Sequence, residues 1–98
     1  MKLKIMLLAF SFSIQSINAG GSLPASVEIN ADTATITIFN RTSKNYTCTL
    51  FSKWFSANSW KYNWQKISIK RMSTEVVLVE EESRFPIEEM IINVYRCN

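Results

Sequence analysis

The sequence predicts an all-β protein: a small antiparallel β-sandwich of the immunoglobulin-like type, with about six strands and one disulfide. Apolar and polar residues alternate along several short segments, which is the pattern of half-buried strands. Polar turn sequences separate these segments, and the region after residue 20 has no stretch with helical spacing of its apolar residues. A small β-barrel is the alternative that the same pattern allows.

The first 19 residues have the features of a secretory signal peptide. Lys2 and Lys4 precede a mostly apolar run, and Ala19 supplies the small residue expected at a cleavage site. The apolar run is about 13 residues long, whereas a membrane-spanning helix needs roughly 20, and no later stretch is suitable. We therefore predict a signal peptide at 1–19 and a single domain at 20–98, periplasmic or secreted. An uncleaved N-terminal helix or anchor is the alternative.

The alternation is clearest at residues 33–39. Ala34, Ile36 and Ile38 face one way there, and the intervening threonines face the other way. The polar residues 40–45 then form a turn, so we expect the following strand to return antiparallel. In the same way, the sequence predicts strands at residues 26–30, 33–39, 46–55, 60–71, 75–80 and 90–97.

The strand predicted at 60–71 changes phase along its length. Its three aromatic residues share one phase, whereas Ile67 and Ile69 have the opposite phase. One extra residue near Gln65 and Lys66, as in a β-bulge, would bring all five side chains to one face. The alternative is a strand that exposes its aromatic residues in its first half and changes its partner sheet in its second.

The last two predicted strands carry apolar residues on both faces. Residues 75–80, with the sequence EVVLVE, therefore suit a central strand. Pro86 stops strand pairing in the charged loop that follows. In the closing strand at 90–97, two alternating sets of apolar residues leave the phase ambiguous, and burial on both faces would explain them.

Cys48 and Cys97 are the two cysteines of the sequence. In an oxidising compartment, an even pair in a small domain is most simply one disulfide. Chain-entropy arguments give such a bridge about 4 kcal/mol of stabilisation. The alternative is two free or partner-linked thiols. A zinc site is disfavoured because two thiolates without histidine are half of the usual ligand set.

The sequence lacks the groups that most enzymes use for catalysis. It contains no histidine, and Asp32 is its single aspartate. The six glutamates after residue 74 are the remaining candidates for paired catalytic carboxylates or a weak calcium site. Charge runs beside a loop are usually solvated surface, however. We therefore expect a non-enzymatic protein with no catalytic residue, no cofactor and no metal.

Charge is distributed unevenly along the chain. Residues 33–74 contain seven basic residues and no acidic one, whereas residues 75–98 contain six glutamates and two arginines. Without the leader, nine basic residues face eight acidic ones, so bulk charge gives no reason to expect nucleic-acid binding. The first interpretation is that cationic and anionic strands pair side by side. The alternative is a surface whose cationic half attracts an anionic partner.

Six aromatic residues are concentrated between residues 51 and 64, interleaved with Lys53 and Lys61. Most of these rings should fill the core of so small a domain, so we expect Trp54 and at least one of Trp60 and Trp64 to be buried. Six aromatic residues around one hairpin are nevertheless more than a small sandwich can easily bury.

Phe51 and Phe55 share the phase of Lys53 and are candidates for an exposed face. An exposed ring beside a lysine can stack on a sugar or a peptide, while the ammonium group meets a carboxylate or phosphate. The candidate ligand-binding residues are Phe51, Lys53, Phe55, Trp60, Lys61 and Tyr62.

Asn40 and Asn45 begin two tripeptides that have the form of N-glycosylation acceptors. In a bacterium these are incidental turn and strand residues, which is the interpretation that the leader favours. In a eukaryotic host, glycans at both positions would crowd the same loop.

The pattern Asn40-x-Thr42, then Tyr46-Thr47-Cys48, then Phe85-Pro86 and a terminal strand ending in Cys97 is similar to that of small exported β-sandwich proteins of Gram-negative bacteria. The resemblance extends loosely over most of the chain after the leader. It implies the fold and an exported location, with no activity attached.

These observations predict an exported binding module that contacts an envelope glycan or a protein partner through the hairpin at 51–64. The alternative is an inhibitor or effector that blocks a secreted or envelope enzyme with a loop, for which the charged stretch at 80–89 is the candidate. We expect no nucleic-acid partner and no transmembrane segment. Exposed edge strands leave self-association open.

Overall fold

The computed structural model describes residues 21–98, so the signal peptide predicted at 1–19 lies outside the described residues. Each of the six predicted strands is present, and none of residues 21–98 forms a helix that could cross a membrane. The strands are β1 (Ala25–Asn30), β2 (Thr33–Asn40), β3 (Tyr46–Ser56), β4 (Ser59–Ile69), β5 (Ser73–Glu80) and β6 (Ile87–Tyr95).

The strands form two antiparallel sheets of three strands each. The first sheet has the order β1–β2–β5 and the second has the order β4–β3–β6, so β2 and β3 are central. This order matches the positions of strands A, B and E in one sheet of immunoglobulin-like domains, and of strands C′, C and F in the other. Within residues 21–98 the two sheets do not close into a barrel. The predicted antiparallel sandwich is confirmed.

The core between the sheets is aliphatic. Ala34, Ile36 and Ile38 of β2 are fully buried, as their alternation with threonines predicts. They face Leu50 of β3 and Ile92 of β6, which are also buried. Full burial of such a side chain stabilises the fold by about 1.5–3 kcal/mol. Because aliphatic side chains fill the interior, the sandwich does not need tryptophan there.

β4 has no bulge, so that prediction is wrong. Its pairing with β3 runs without interruption along both strands. Ile67 and Ile69 therefore face the core while the aromatic residues face outward. β4 exposes its rings in its first half, as the alternative interpretation has it, but it keeps the same partner throughout. A register shift lies instead between Phe55 and Ser56 in the pairing of β3 with β6, where Phe55 pairs with Glu89 and Ser56 pairs with Ile87.

β5 is an edge strand, so the prediction of a central strand is also wrong. In the described part of the chain it pairs with β2 alone. Val77 and Val79 pack against the core, whereas Val76 and Leu78 are 57% and 58% exposed on the outside. The apolar run of β5 therefore reflects an exposed outer face rather than burial on both sides.

β6 carries apolar residues on both of its faces, although it lies at the edge of its sheet. Met90, Ile92 and Val94 face the core and are buried. Ile91 and Tyr95 are half-buried on the outer side. The ambiguous phase of this segment is explained by these two environments.

Cys48 and Cys97 form the predicted disulfide, and both are buried. The bridge joins the central strand β3 to the segment that follows β6, within one sheet. The backbones of Thr47 and Asn98 exchange two hydrogen bonds of 3.1 Å beside it. The disulfide therefore fixes the C-terminal end of the chain to the middle of the sheet.

The β3–β4 hairpin turns through two residues in the left-handed backbone region. Ala57 has a φ of 51° and Asn58 has a φ of 61°, the region that two-residue hairpin loops of type I′ require. Asparagine tolerates this region, whereas alanine adopts it at a cost of about 1 kcal/mol. The turn brings the two halves of the candidate hairpin into register.

Candidate functional site on the β3–β4 hairpin

The outer surface of the β4–β3–β6 sheet carries a cluster of aromatic side chains. Alternate residues of β3 and β4 point away from the core, and the antiparallel register places them opposite one another. The three outward pairs are Phe51 with Trp64, Lys53 with Tyr62, and Phe55 with Trp60. We call these six residues the aromatic face. It contains five of the six candidate ligand-binding residues, together with Trp64.

The rings of the aromatic face contact one another across the hairpin. The ring centroids of Phe51 and Trp64 are 5.0 Å apart, and those of Phe55 and Trp60 are 5.2 Å apart. The planes of Tyr62 and Trp64 are within 8° of parallel, with centroids 6.3 Å apart. These distances lie in the favourable range for aromatic pairs. The contacts therefore hold the rings in place in the absence of a ligand.

Lys53 lies at the centre of the aromatic face. Its Nζ atom is 4.7 Å from the ring centroid of Trp60 and 5.6 Å from that of Tyr62, within cation–π range. Its neighbours across the strands are Tyr62 and Ile91, neither of which is acidic. Among residues 21–98, Lys53 forms no ion pair. Its positive charge is therefore available to an anionic group.

Solvent reaches the rings of β4 more than we expected. Trp60 is 38% exposed, Tyr62 is 54% exposed and Trp64 is 60% exposed. Trp54, on the inner face of β3, is half-buried. The expectation that Trp54 and one of the other two tryptophans would be buried is therefore wrong. The expectation assumed that a small core needs large aromatic rings to fill it. The core of this protein is filled mainly by isoleucine, leucine, valine and methionine instead.

The surroundings of the aromatic face are mostly cationic. Lys66 follows Trp64 at the next outward position of β4, and the Arg96 guanidinium lies 5.7 Å from the ring centroid of Tyr95. β3 and β4 contain no acidic residue. On β6, Glu89 lies opposite Phe55 at one end of the cluster.

Lys61 is the one candidate residue that the structure does not bring to the aromatic face. It lies opposite Trp54 in the register and points to the inner side of the sheet. Its Nζ atom is 2.8 Å from Oε2 of Glu81 and 3.2 Å from the carbonyl oxygen of Ser56. Its positive charge is therefore neutralised within the fold by Glu81.

Glu81 is a buried carboxylate that the sequence did not reveal. It is only 4% exposed, although it belongs to a run of three glutamates that we interpreted as solvated surface. Its Oε1 accepts a 2.6 Å hydrogen bond from the indole N–H of Trp54. Its Oε2 accepts one from Lys61 and one from the backbone N–H of Ser83. These partners lie far away along the chain or in the backbone, so no local pattern signals them.

The pKa of the Glu81 carboxyl is lowered from 4.5 to about 2, and the largest cause is the hydrogen bond from the charged Lys61 ammonium. Burial acts in the opposite direction, and the hydrogen bonds from Ser83 and Trp54 contribute to the lowering of the pKa. Glu81 is therefore ionised at all but strongly acidic pH, and it acts as a fixed acceptor rather than as an acid.

The cationic and anionic strands pair side by side only in part. Cationic β3 does pair with anionic β6, but no ion pair joins them among the described residues. The ion pairs of residues 21–98 are Lys61 with Glu81 at 2.8 Å and Arg84 with Asp32 at 3.8 Å. Most lysines of the hairpin are therefore not neutralised by cross-strand glutamates.

The loop between β5 and β6 is held at both of its ends. The single hydroxyl hydrogen of Ser56 is shared between the carbonyl oxygens of Phe85 and Pro86, which lie 3.1 and 3.0 Å from Oγ. The Phe85 side chain is nevertheless 57% exposed. Together with the Glu81 contacts, these bonds present one apolar ring on an anchored loop.

The asparagine of the first glycosylation tripeptide is engaged in hydrogen bonds within the fold. Asn40 is buried, and its Nδ2 atom donates hydrogen bonds of 2.9, 3.2 and 3.0 Å to the carbonyl oxygens of Lys44, Ile69 and Lys70. A glycan would replace one of the two hydrogens on this nitrogen, so these three bonds could not all be kept. Asn45 is exposed, and its Oδ1 atom accepts a hydrogen bond from the backbone of Arg71.

Comparison with known proteins gives the fold alone. No family model matches the chain, and no curated protein is significantly similar to it in sequence. The chain is similar in structure to a DUF1425 family member from Shewanella sp. pv-4, with a TM-score of 0.63 and 14% sequence identity. The similarity covers 81% of this chain and 84% of that chain.

Proposed function

We propose that this protein is an exported, non-enzymatic binding module that contacts an envelope glycan or protein through its aromatic face. The observation that carries the proposal is the exposure of Trp60, Tyr62 and Trp64 around the charged group of Lys53. Contiguous exposed apolar patches are small on most monomers, and larger ones mark sites of recognition. Tryptophan and tyrosine also dominate the energetics of known interfaces.

The aromatic face has little to do with packing the core. The inner sides of the same strands already bury Leu50 and Ile69 against the opposite sheet. The rings contact mainly one another and Lys53 on the outside. Recognition of a ligand therefore accounts for them better than stability does.

The disulfide supports an exported location. Such bonds form and persist in oxidising compartments, and Cys48 and Cys97 are bridged in the fold. The predicted leader at 1–19 points the same way. A binding module in the envelope would meet glycans and protein surfaces, which are the partners that exposed rings and ammonium groups suit.

A second candidate function is favoured by the loop between β5 and β6. A protein that blocks a secreted or envelope enzyme needs a rigid loop with a side chain that enters the enzyme's cleft. Phe85 is exposed on a loop that Ser56 and Glu81 anchor, which fits that requirement. The acidic residues around it would favour a cationic cleft.

Capture from an envelope extract tests the proposal and separates it from this alternative. The immobilised mature protein would be compared with a triple variant, Trp60→Ala, Tyr62→Ala and Trp64→Ala, and with Phe85→Ala. Leu78→Ala is the control, because Leu78 lies on the other sheet and is 58% exposed, which is close to Tyr62, Trp64 and Phe85.

Captured glycan or protein that disappears with the triple variant, and persists with Phe85→Ala and Leu78→Ala, supports the proposal. Capture that survives the triple variant contradicts it. Capture that depends on Phe85 favours the enzyme-blocking loop instead. Circular dichroism and thermal unfolding of every variant establish that each protein is folded.

A further inference from the structure

We infer that the ligand of the aromatic face is an extended anionic polysaccharide that lies along β4. Its sugar rings would stack on Trp60, Tyr62 and Trp64. Its carboxylates would lie beside Lys53 and Lys66. This inference rests on the proposed function, because it names the partner class of the same surface.

The arrangement of the exposed rings is linear. Trp60, Tyr62 and Trp64 occupy successive outward positions of one strand. Alternate strand residues lie about 6.6 Å apart, so the three positions span roughly 13 Å. The nearly parallel planes of Tyr62 and Trp64 present their rings in a common orientation. A row of this kind fits an elongated chain, whereas a compact small molecule is usually bound in a concave pocket.

The lysines are placed along the same row. The Lys53 ammonium lies over Trp60 and Tyr62, and Lys66 follows Trp64 at the next outward position. Four positions separate Tyr62, which faces Lys53, from Lys66, so the two cationic positions are about 13 Å apart along the strand. Charges at intervals beside a line of rings match a polymer with regularly repeated acidic sugars.

The hairpin provides no competing negative charge. β3 and β4 contain no acidic residue, and Glu81 neutralises Lys61 on the inner side. Lys53 has no ion-pair partner within residues 21–98. On β6, Glu89 lies opposite Phe55, at the end of the row away from Lys66. Along the rest of the row an anionic ligand is attracted, and a neutral ligand of the same shape gains only the stacking.

Two oligosaccharides with the same backbone test the inference. A hexamer of β-1,4-linked mannuronate carries a carboxylate on each sugar, whereas β-1,4-linked mannohexaose is neutral. A hyaluronate oligomer, with a carboxylate on alternate sugars, provides a second acidic probe. Binding of each to the mature protein is measured by calorimetry and by tryptophan fluorescence.

We expect at least one acidic probe to bind about tenfold or more tightly than mannohexaose, and to weaken as salt increases. Trp64→Ala should weaken binding about tenfold through the loss of a stacking ring. Lys53→Met should reduce the preference for the acidic oligosaccharide, because Lys66 remains, and the variant should still bind the neutral oligosaccharide. Leu78→Ala and Lys44→Met, exposed positions elsewhere, should leave the affinity unchanged.

Failure of both acidic probes to bind, or binding of neither acidic probe more tightly than mannohexaose, overturns the inference. So does equal or tighter binding of oligo(dT) or of phosphatidylglycerol vesicles, which offer anionic groups without sugars of this type. If ring-dependent capture from envelope extract persists while the oligosaccharides fail, the proposed function stands and the polysaccharide is the wrong partner. If ring-dependent capture also fails, both are wrong.

Discussion

The indole N–H of Trp54 donates a 2.6 Å hydrogen bond to Oε1 of Glu81, and this bond joins the centre of one sheet to the residue that follows β5 in the other. Lys61 occupies the second oxygen of the same carboxylate. Neighbouring residues of a strand point to opposite faces, so an inward Lys61 directs Trp60 and Tyr62 outward. The buried carboxylate therefore helps to position the aromatic face that it does not touch.

Glu81→Gln should destabilise the protein by about 2 kcal/mol. The amide weakens the hydrogen bond from Trp54 and leaves Lys61 without its counter-ion in a partly buried place. Urea unfolding followed by circular dichroism measures the change. Glu82→Gln is the matched control, because Glu82 is the exposed next residue and should change the stability by less than about 0.5 kcal/mol. Equal effects of the two substitutions would show that the buried network adds nothing.

The pH dependence of stability should carry the signature of Glu81. Its pKa is about 2 in the folded protein and 4.5 as an ordinary glutamate, so the unfolded chain binds the proton more readily between these values. The stabilisation is therefore complete above about pH 5 and is lost as the pH falls toward 2. Unfolding free energies measured from pH 7 to pH 2 should decline in that window for the wild type. The decline should be shallower for Glu81→Gln, and identical profiles would contradict the assignment.

Alternation of apolar residues was sufficient to predict the strands but not their positions in the sheets. Ala34, Ile36 and Ile38 face the core as their spacing predicts, because period two is a local property of a strand. The run Val76 to Val79 indicated a central strand, yet β5 lies at an edge. An apolar side chain exposed at an edge and one buried in a second interface look the same in a sequence.

The candidate site likewise contains residues that the sequence could place and residues that it could not. Phe51, Lys53 and Phe55 could be assigned to one outward face because they share a phase on one strand. Lys61 could not be separated from its aromatic neighbours, because its partner Glu81 is 20 residues away along the chain. The exposure of Trp64 depended on how the core is filled, which is a property of the whole sandwich. Long-range pairing of charges and the composition of the core are therefore the parts that the sequence left undetermined.

Reduction of the disulfide should destabilise the protein by about 4 kcal/mol. The unfolded chain is then no longer closed into a loop, so its conformational entropy rises and unfolding becomes more favourable. Cys48 and Cys97 are both buried, so mild reductant should act mainly through unfolded molecules. The double variant Cys48→Ala and Cys97→Ala provides the measurement without reductant, by its shift in urea midpoint. A midpoint within error of the wild type would show that the bridge does not constrain the fold.

Ala57→Gly should stabilise the hairpin by about 0.5–1 kcal/mol. Ala57 has a positive φ, where its Cβ is strained and glycine is not. Ala57→Val should have the opposite sign, because a β-branched side chain is least tolerated there. For a domain of this size, 1 kcal/mol corresponds to roughly 4–8 °C in Tm, which calorimetry resolves. If Ala57→Gly and Ala57→Val change the stability in the same direction, the interpretation of a strained turn is contradicted.

Asn40→Ala should be among the most destabilising substitutions outside the aliphatic core, at about 2–4 kcal/mol. The change removes the Nδ2 donor from the carbonyl oxygens of Lys44, Ile69 and Lys70, two of which lie at the end of β4. It also removes the Oδ1 acceptor for both the backbone N–H and the hydroxyl of Thr42. Buried carbonyl groups that lose their donors account for a cost of this size.

Asn45→Ala is the matched control for Asn40→Ala. Asn45 is exposed and its side chain accepts one hydrogen bond, from the Arg71 backbone, so its loss should cost only about 0.5–1 kcal/mol. Urea unfolding of the two variants gives the comparison directly. A cost for Asn40→Ala no larger than for Asn45→Ala would mean that the loop between β2 and β3 closes without the buried amide. The Asn40 amide also bonds to the carbonyl oxygens of Ile69 and Lys70. In that case other contacts would have to hold the β4–β5 turn in place.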